Sequence, residues 1–199
     1  VTIVTPNHLH APVASAFLRA GIAVICDKPL TATLDEAEDL AHLVQETGLP
    51  FILTQTYTGY PLVREARALV QKGALGRIRM VQVEYLQDWL TDALETSGHK
   101  QAAWRMDPAQ SGDGGCIADI GTHALNLCHF VTGLAPTAVL ADLTAFVPGR
   151  TLDDNAQVLL RFEGGAKGMI WASQVAPGTQ NGLRIRVVGD KGGLLWEQE

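Results

Sequence analysis

The stretch "VTIVTPNHLHAPVASAFLRAGIAVICDKPL", residues 1–30, decides the fold. A β-branched run over residues 1–5 is broken by Pro6 and Asn7. Over residues 10–20 the period turns helical: Ala11, Val13, Ala14, Phe17 and Leu18 share one face, and Gly21 stands where a helix ends. A second apolar run follows at residues 22–26. Beyond it, Thr33 with Glu36 three places on forms a capping box for a helix that runs to Glu46 and stops at Gly48. A third strand is predicted over residues 50–54. Strand–helix–strand–helix–strand at this spacing predicts a parallel sheet with right-handed crossovers. The apolar strands "IAVIC" and "FIL" predict cover on both faces of that sheet.

After Thr54 the rhythm changes, and a domain boundary is predicted near residues 56–60. Residues 61–72 are amphipathic, with Val63, Ala66, Arg67 and Val70 at helical spacing. Residues 76–87 alternate as a half-exposed strand, and residues 88–115 read as polar and irregular. A helix is predicted over residues 118–131, stopped by Thr132 and Gly133. Strands follow over residues 138–146, 156–162 and 168–174, the last two joined by a hairpin turn at Glu163, Gly164 and Gly165, with a further pair around residues 190–193. The fold class expected is therefore α/β followed by α+β: a parallel sheet over residues 1–56, then a domain with a mostly antiparallel open sheet over residues 57–199. The chain opens on a strand that reads as buried and closes inside a strand pattern, so it is expected to be cut at both ends.

The chain has 199 residues, 47% hydrophobic and 18% charged, which suits a packed core rather than disorder. A net charge of -6 argues against nucleic acid or an anionic membrane surface as partner. Cys26, Cys116 and Cys128 are odd in number and lack C-x-x-C spacing, which fits buried free thiols in a reducing, cytoplasmic compartment. No charged leader with an apolar core opens the chain, and no apolar run reaches membrane-spanning length. His42 and His99 read as surface residues, His129 as part of helix packing, and the four tryptophans as packing residues.

In a parallel sheet of this type, ligands lie beyond the carboxyl ends of the strands. "TPNHLH", "DKP" and "TQTYTGY" fall there, so a cofactor at that edge would meet Thr5, Pro6, Asn7, His10, Asp27, Lys28, Pro29 and Gln55. Pro29 fixes its own φ and biases Lys28 to an extended conformation, which would let the lysine stem project. Taken alone, Lys28 still reads more readily as a solvated lysine paired with an acid, because most lysines are solvated. A second segment, "GDGGCIADIGTHALNLCHF" over residues 112–130, carries glycines that permit close backbone approach. It also places Asp119 and His123 four apart, on one helical face. A carboxylate so placed raises a histidine's basicity and orients its ring; equally, Asp119 is an acid favoured near a helix N-terminus. Two residues at this spacing could ligate a metal, but nothing else completes a site, so no metal is expected.

Read together, these segments resemble the Gfo/Idh/MocA family of oxidoreductases. "TPNHLH" and Asp27-Lys28-Pro29 resemble its strand-end and lysine motifs, and "GALGRIRMVQVEY" the entrance to its second domain. "WRMDPAQSGDGGCIADIGTHALNL" resembles its W-R, glycine-rich and D-x-G-x-H signature, and "DDNAQVLLRFEGGAKGMIWAS" and "GDKGGLLWE" its later strands. The resemblance is colinear and covers nearly the whole chain. It implies a Rossmann-type parallel sheet, here its C-terminal half, and an NAD- or NADP-dependent dehydrogenase acting on a sugar, cyclitol or related polyol. It implies catalytic roles for Lys28, Asp119 and His123, and substrate contacts at Tyr57, Lys100, Trp104, Arg105 and Asn126. It also implies a homodimer or homotetramer formed through the open sheet. Asp27 stands where the family commonly has Glu, and Thr58 where many members have Arg. The family's G-x-G-x-x-G turn is not among these residues, so the chain alone is expected to bind NAD(P) poorly. Two other readings stay open: an NAD-assisted glycoside hydrolase of the same family, and a non-catalytic oligomerisation domain.

Overall fold

Three short apolar runs pair as parallel strands: β1 (Thr2–Ile3), β2 (Val24–Cys26) and β3 (Phe51–Leu53), in the order β1-β2-β3. Between them run α1 (His10–Arg19) and α2 (Leu34–Thr47). The α2 start is the capping box read from sequence: Thr33 Oγ1 accepts from Glu36 N, and Glu36 Oε2 accepts from Thr33 N. Leu18 of α1 and Leu40 and Leu43 of α2 bury Ile3, Val24 and Cys26 on one face of the sheet. The expected cover on both faces is not found. Ile25 and its cross-strand neighbour Ile52 are 38% and 54% exposed. Both crossover helices share one core with alternate strand residues, which leaves the intervening ones uncovered among the described residues.

The computed structural model describes residues 1–198. It divides the chain into two compact units, Val1–Gln55 with Leu94–Gly115, and Thr56–Ala93 with Cys116–Glu199. Where the sequence reading runs the second domain unbroken from residue 57, Leu94–Gly115 thus returns to the first unit. That segment is also less irregular than its composition predicts.

The second unit begins with α3 (Pro61–Gln71) and β4 (Ile78–Leu86). The returning segment of the first unit then holds α4 (Lys100–Arg105) and α5 (Pro108–Ser111). Back in the second unit, a π-helical turn at Ile117–Gly121 runs into α6 (Thr122–Thr132), where the sequence pattern predicts a plain α-helix from residue 118. Then follow β5 (Pro136–Thr144), β6 (Asn155–Phe162), β7 (Lys167–Ser173), β8 (Gly182–Gly189) and β9 (Gly193–Glu197). The sheet order is β5-β6-β7-β4-β8-β9, with only β4 and β7 parallel.

Strand alternation puts Val81, Val83, Tyr85, Ala156, Val158, Leu160, Ile170, Ala172, Leu183, Ile185 and Val187 on the face packed by Val63, Ala124, Leu127 and Val131 of α3 and α6. Burying each large side chain contributes about 1.5–3 kcal/mol. The opposite face stays open and mixed, with Met80, Leu159, Met169 and Leu195 exposed beside Gln82, Arg186 and the Glu84–Arg184 ion pair, and β5 is exposed on both sides. The connection from β5 to β6 closes on Asp154, whose carboxylate accepts from Phe146 N, Val147 N and the Arg150 guanidinium. Both side chains of that ion pair are essentially fully buried.

Candidate active site

In the first unit the expected cofactor-side residues gather at the carboxyl ends of the strands. Asp27 Oδ1 accepts from Lys28 N at 3.0 Å and from Thr54 Oγ1 at 2.5 Å, joining the ends of β2 and β3. Lys28 and Pro29 are half-buried, and the Lys28–Pro29 peptide is cis. His10 is buried, its ring nitrogens 2.8 Å from Pro29 O and 2.9 Å from Thr5 O, so it ties the two strand ends together. Asn7 is also buried and donates to Ser111 O at 2.9 Å. Pro6 and Gln55 are half-buried beside them. Thr5 Oγ1 is buried and meets no hydrogen-bond partner among the described residues. An unsatisfied hydroxyl at a strand's carboxyl end fits a polar group of a bound nucleotide.

The returning segment is pinned to these residues. Gly112 has φ +92, and a Cβ there would lie 2.5 Å from Ala32 O, so only glycine brings the backbone this close. Asp107 caps α5, and its carboxyl is held below the usual range by the Gln110 amide and then by Ala109 N. Of the expected substrate contacts on α4, Lys100 is exposed, and Arg105 stacks over the Trp104 ring at 4.1 Å. His99, read as a surface residue, is exposed and caps α4 by accepting from Ala102 N.

In the second unit Asp119 lies in the π turn and His123 in the first turn of α6. Asp153 holds the start of this run: its Oδ2 accepts from Ile117 N at 2.8 Å and from Cys116 Sγ at 3.2 Å. Burial first, and the Asp153 charge second, push the Cys116 thiol far up. His123 is 8% exposed, and the Tyr57 ring meets it edge to face at 4.9 Å. The Tyr57 and Tyr85 hydroxyls are in hydrogen-bond contact, and Tyr85 donates to Asn181 Oδ1 at 2.7 Å. Burial first, then the Tyr57 contact, pushes the Tyr85 phenol well above its ordinary range, so it stays neutral. Asn126 is half-buried on α6. His129 is exposed rather than packed, and lies 3.0 Å from Leu134 O.

Asp119 Oδ2 accepts from Gln174 Nε2 at 2.9 Å. Gln174, Gln87, Asn181 and Asp153 are absent from the sequence reading of the site. A signal for three of them was present. The inward phase of β4 (81, 83, 85), of β7 (170, 172) and of β8 (187, 185, 183), continued one step past the strand end, lands on Gln87, Gln174 and Asn181. A polar residue in the buried phase marks a built site. Among the described residues no cluster of three metal-ligating side chains occurs, and no helix is long and apolar enough to cross a membrane.

A family model described as an oxidoreductase family with an NAD-binding Rossmann fold matches residues 1–55. One described as a GFO/IDH/MocA C-terminal domain matches residues 63–195. Levoglucosan dehydrogenase from Pseudarthrobacter phenanthrenivorans is 30% identical over 222 residues, covering 100% of this chain and 55% of that protein. The crystal structure of an inositol dehydrogenase homolog complexed with NAD+ from Azotobacter vinelandii superposes with a TM-score of 0.95 at 35% identity, over 98% of this chain and 51% of that one. An oxidoreductase from Sinorhizobium meliloti is 51% identical, with a TM-score of 0.86 over 100% of this chain and 51% of its own. The chain spans about half the length of the curated relatives it matches.

Proposed function

The chain belongs to the GFO/IDH/MocA family of oxidoreductases, and on that premise we propose that it serves an NAD(P)-dependent dehydrogenase acting on a sugar, cyclitol or related polyol. Thr5, Pro6, Asn7, His10, Asp27, Lys28, Pro29 and Gln55 would hold the cofactor's nicotinamide half, and the unsatisfied Thr5 hydroxyl supports that assignment. When bound, the nicotinamide supplies the hydride acceptor for alcohol oxidation.

The remaining work falls to side chains of this chain. Oxidising a secondary alcohol removes a hydride from carbon and a proton from oxygen. His123 takes that proton as general base. Asp119 orients the His123 ring and stabilises the imidazolium that forms. The Lys28 ammonium donates a hydrogen bond to the reacting oxygen and steadies its developing negative charge. Tyr57, Lys100, Trp104, Arg105 and Asn126 are the substrate contacts. The observation that carries this reading is that Asp119, held by the buried Gln174 amide, and His123, set against the Tyr57 ring, stand four residues apart on one helical run.

The exposed Met80, Leu159, Met169 and Leu195 on the open face of the larger sheet, with β5 open along its edge, support a homodimer or homotetramer built through it. Three buried free thiols support a cytoplasmic setting. The test is a panel of inositols, anhydrosugars and aldoses incubated with NAD+ or NADP+ and the full-length protein. Substrate-dependent formation of reduced nicotinamide is expected, and Lys28→Met should abolish it. Turnover that survives Lys28→Met, or no reduction with any polyol, would refute the reading.

A further inference from the structure

Beside Asp119 lies a chain of hydrogen-bonded side chains that the reaction scheme above does not use, with Gln174 buried and Gln87, Trp89 and Asn181 half-buried. Its members come from strand ends: Gln87 and Trp89 just past β4, Gln174 just past β7, Asn181 just before β8. The backbone is pinned there as well. Gln87 N donates to Ser173 O, Leu90 N to Gln174 O, and Gln174 N to Asp154 O.

The direction of donation along this chain follows from one residue. An indole N–H can only donate. Trp89 Nε1 donates to Gln87 Oε1 at 3.0 Å, which fixes how the Gln87 amide is turned. Gln87 Nε2 must then donate, and it does so to Asn181 Oδ1 at 3.0 Å. Gln87 Oε1 also faces Gln174, so Gln174 must present its N–H group there, at 3.3 Å. The other hydrogen of the same Nε2 is left for Asp119 Oδ2, at 2.9 Å. A flipped Gln174 amide would set its oxygen against two acceptors at once. The fold therefore keeps Gln174 Oε1 buried with no partner among the described residues, although an unsatisfied buried acceptor is costly. Gln174 is itself 0% exposed, so it touches Asp119 and not the substrate.

We propose that Gln174 is a positioning residue for Asp119, its amide oriented by Trp89 through Gln87, so that the carboxylate is held in the attitude from which it acts on His123. This rests on the reading that Asp119 orients His123. Tyr57, Tyr85 and Cys116 are among the titratable groups facing the pair, with Asp153 behind Cys116. Burial keeps Tyr85 and Cys116 neutral in the working range, and the Asp119→Asn arm measures directly how far the His123 titration depends on Asp119.

The experiment is an NMR titration of the His123 imidazole in the full-length protein, needing no substrate. It compares the parent, Asp119→Asn, Gln174→Met and the double variant, with turnover measured alongside. Asp119→Asn should lower the His123 pKa by about one unit. Gln174→Met should lower it in the same direction and reduce kcat about 10-fold to 100-fold with KM little changed. The double variant should titrate as Asp119→Asn alone. A His123 that titrates as in the parent when Gln174 is replaced overturns the proposal. So does one that moves further in the double variant than in Asp119→Asn. If Asp119→Asn itself leaves His123 unmoved, the Asp119–His123 reading fails and the proposal falls with it. If Gln174→Met does not fold, Trp89→Phe decides: a lowered His123 pKa supports the proposal, and an unchanged one overturns it.

Discussion

Asp153→Ala tests how the helical run bearing Asp119 and His123 is started. Asp153 is buried, and its Oδ2 accepts from Ile117 N at 2.8 Å and Cys116 Sγ at 3.2 Å, while its own carbonyl accepts from Cys116 N. Ile117 opens the π turn, so its N–H is one of the donors that a helix start leaves unpaired. Asp153 thus acts as an N-cap reaching in from the start of another strand. Replacing a cap by alanine costs about 1–2 kcal/mol, and stranding a buried N–H costs about 1–3 kcal/mol. These describe the same bond and do not add. The weak thiol bond adds little, and removing a buried carboxylate returns part of its desolvation. The net loss is then about 1–2 kcal/mol, a melting point lower by roughly 2–8 °C for a chain of this size. Asp153→Asn keeps an acceptor without the charge and should lose about half as much. Urea unfolding followed by circular dichroism measures both. An Asp153→Ala loss below about 1 kcal/mol, or an Asp153→Asn loss as large as that of alanine, would show that the cap does not set this helix.

Asp154→Ala removes the carboxylate from the buried Arg150 guanidinium, which keeps its bond to Asp92 O, and strands the N–H groups of Phe146 and Val147. It should cost about 3–5 kcal/mol by urea unfolding, and a near-neutral result would show that the pair is not closed in solution. Gly112→Ala forces a side chain onto φ +92 and against Ala32 O, and should cost more than about 2 kcal/mol. Tyr57→Phe removes the hydroxyl that contacts Tyr85; a rise in KM with an unchanged His123 titration is expected, and the reverse pattern would move Tyr57 out of the substrate contacts. Burial pushes the Cys128 thiol from 9.0 to about 11. Below pH 9 both folded and unfolded chains hold this proton. Above it the unfolded chain releases the proton first, so stability falls as pH rises towards 11, by about 3 kcal/mol in all. Unfolding free energies of the parent and Cys128→Ala between pH 8 and 11 should converge by roughly that amount, and parallel curves would contradict it.

The elements that chain-local physics controls were legible in the sequence. The capping box at Thr33 and Glu36, the helix ends at Gly48 and Gly133, and the hairpin at residues 163–165 depend on residues a few places apart, and each forms as read. Residues 88–115 misled because short helices such as α4 and α5 are held by caps at His99 and Asp107, not by an apolar period. The π turn at Ile117–Gly121 was hidden for a related reason. Its sequence carries an ordinary helical pattern, and what shapes its start, Asp153, lies 36 residues away.

The same distance rule sorts the candidate site. Lys28, Asp119 and His123 were visible as local patterns, a proline after a strand and a carboxylate and imidazole four apart, but only the family resemblance raised Lys28 above a solvated lysine. The side chain that holds Asp119 lies 55 residues downstream, and nothing in its own neighbourhood announces it except parity. That exception is informative. At β4, β7 and β8 the buried phase runs one step beyond the strand and ends on an amide. An amide there can close no ladder hydrogen bond with its side chain, and burial without partners would be costly. Three such positions at neighbouring strand ends can satisfy one another, as Gln87 does with both Gln174 and Asn181. A polar residue in an apolar phase, repeated at several strand ends, is therefore evidence in the sequence itself for a shared hydrogen-bond network.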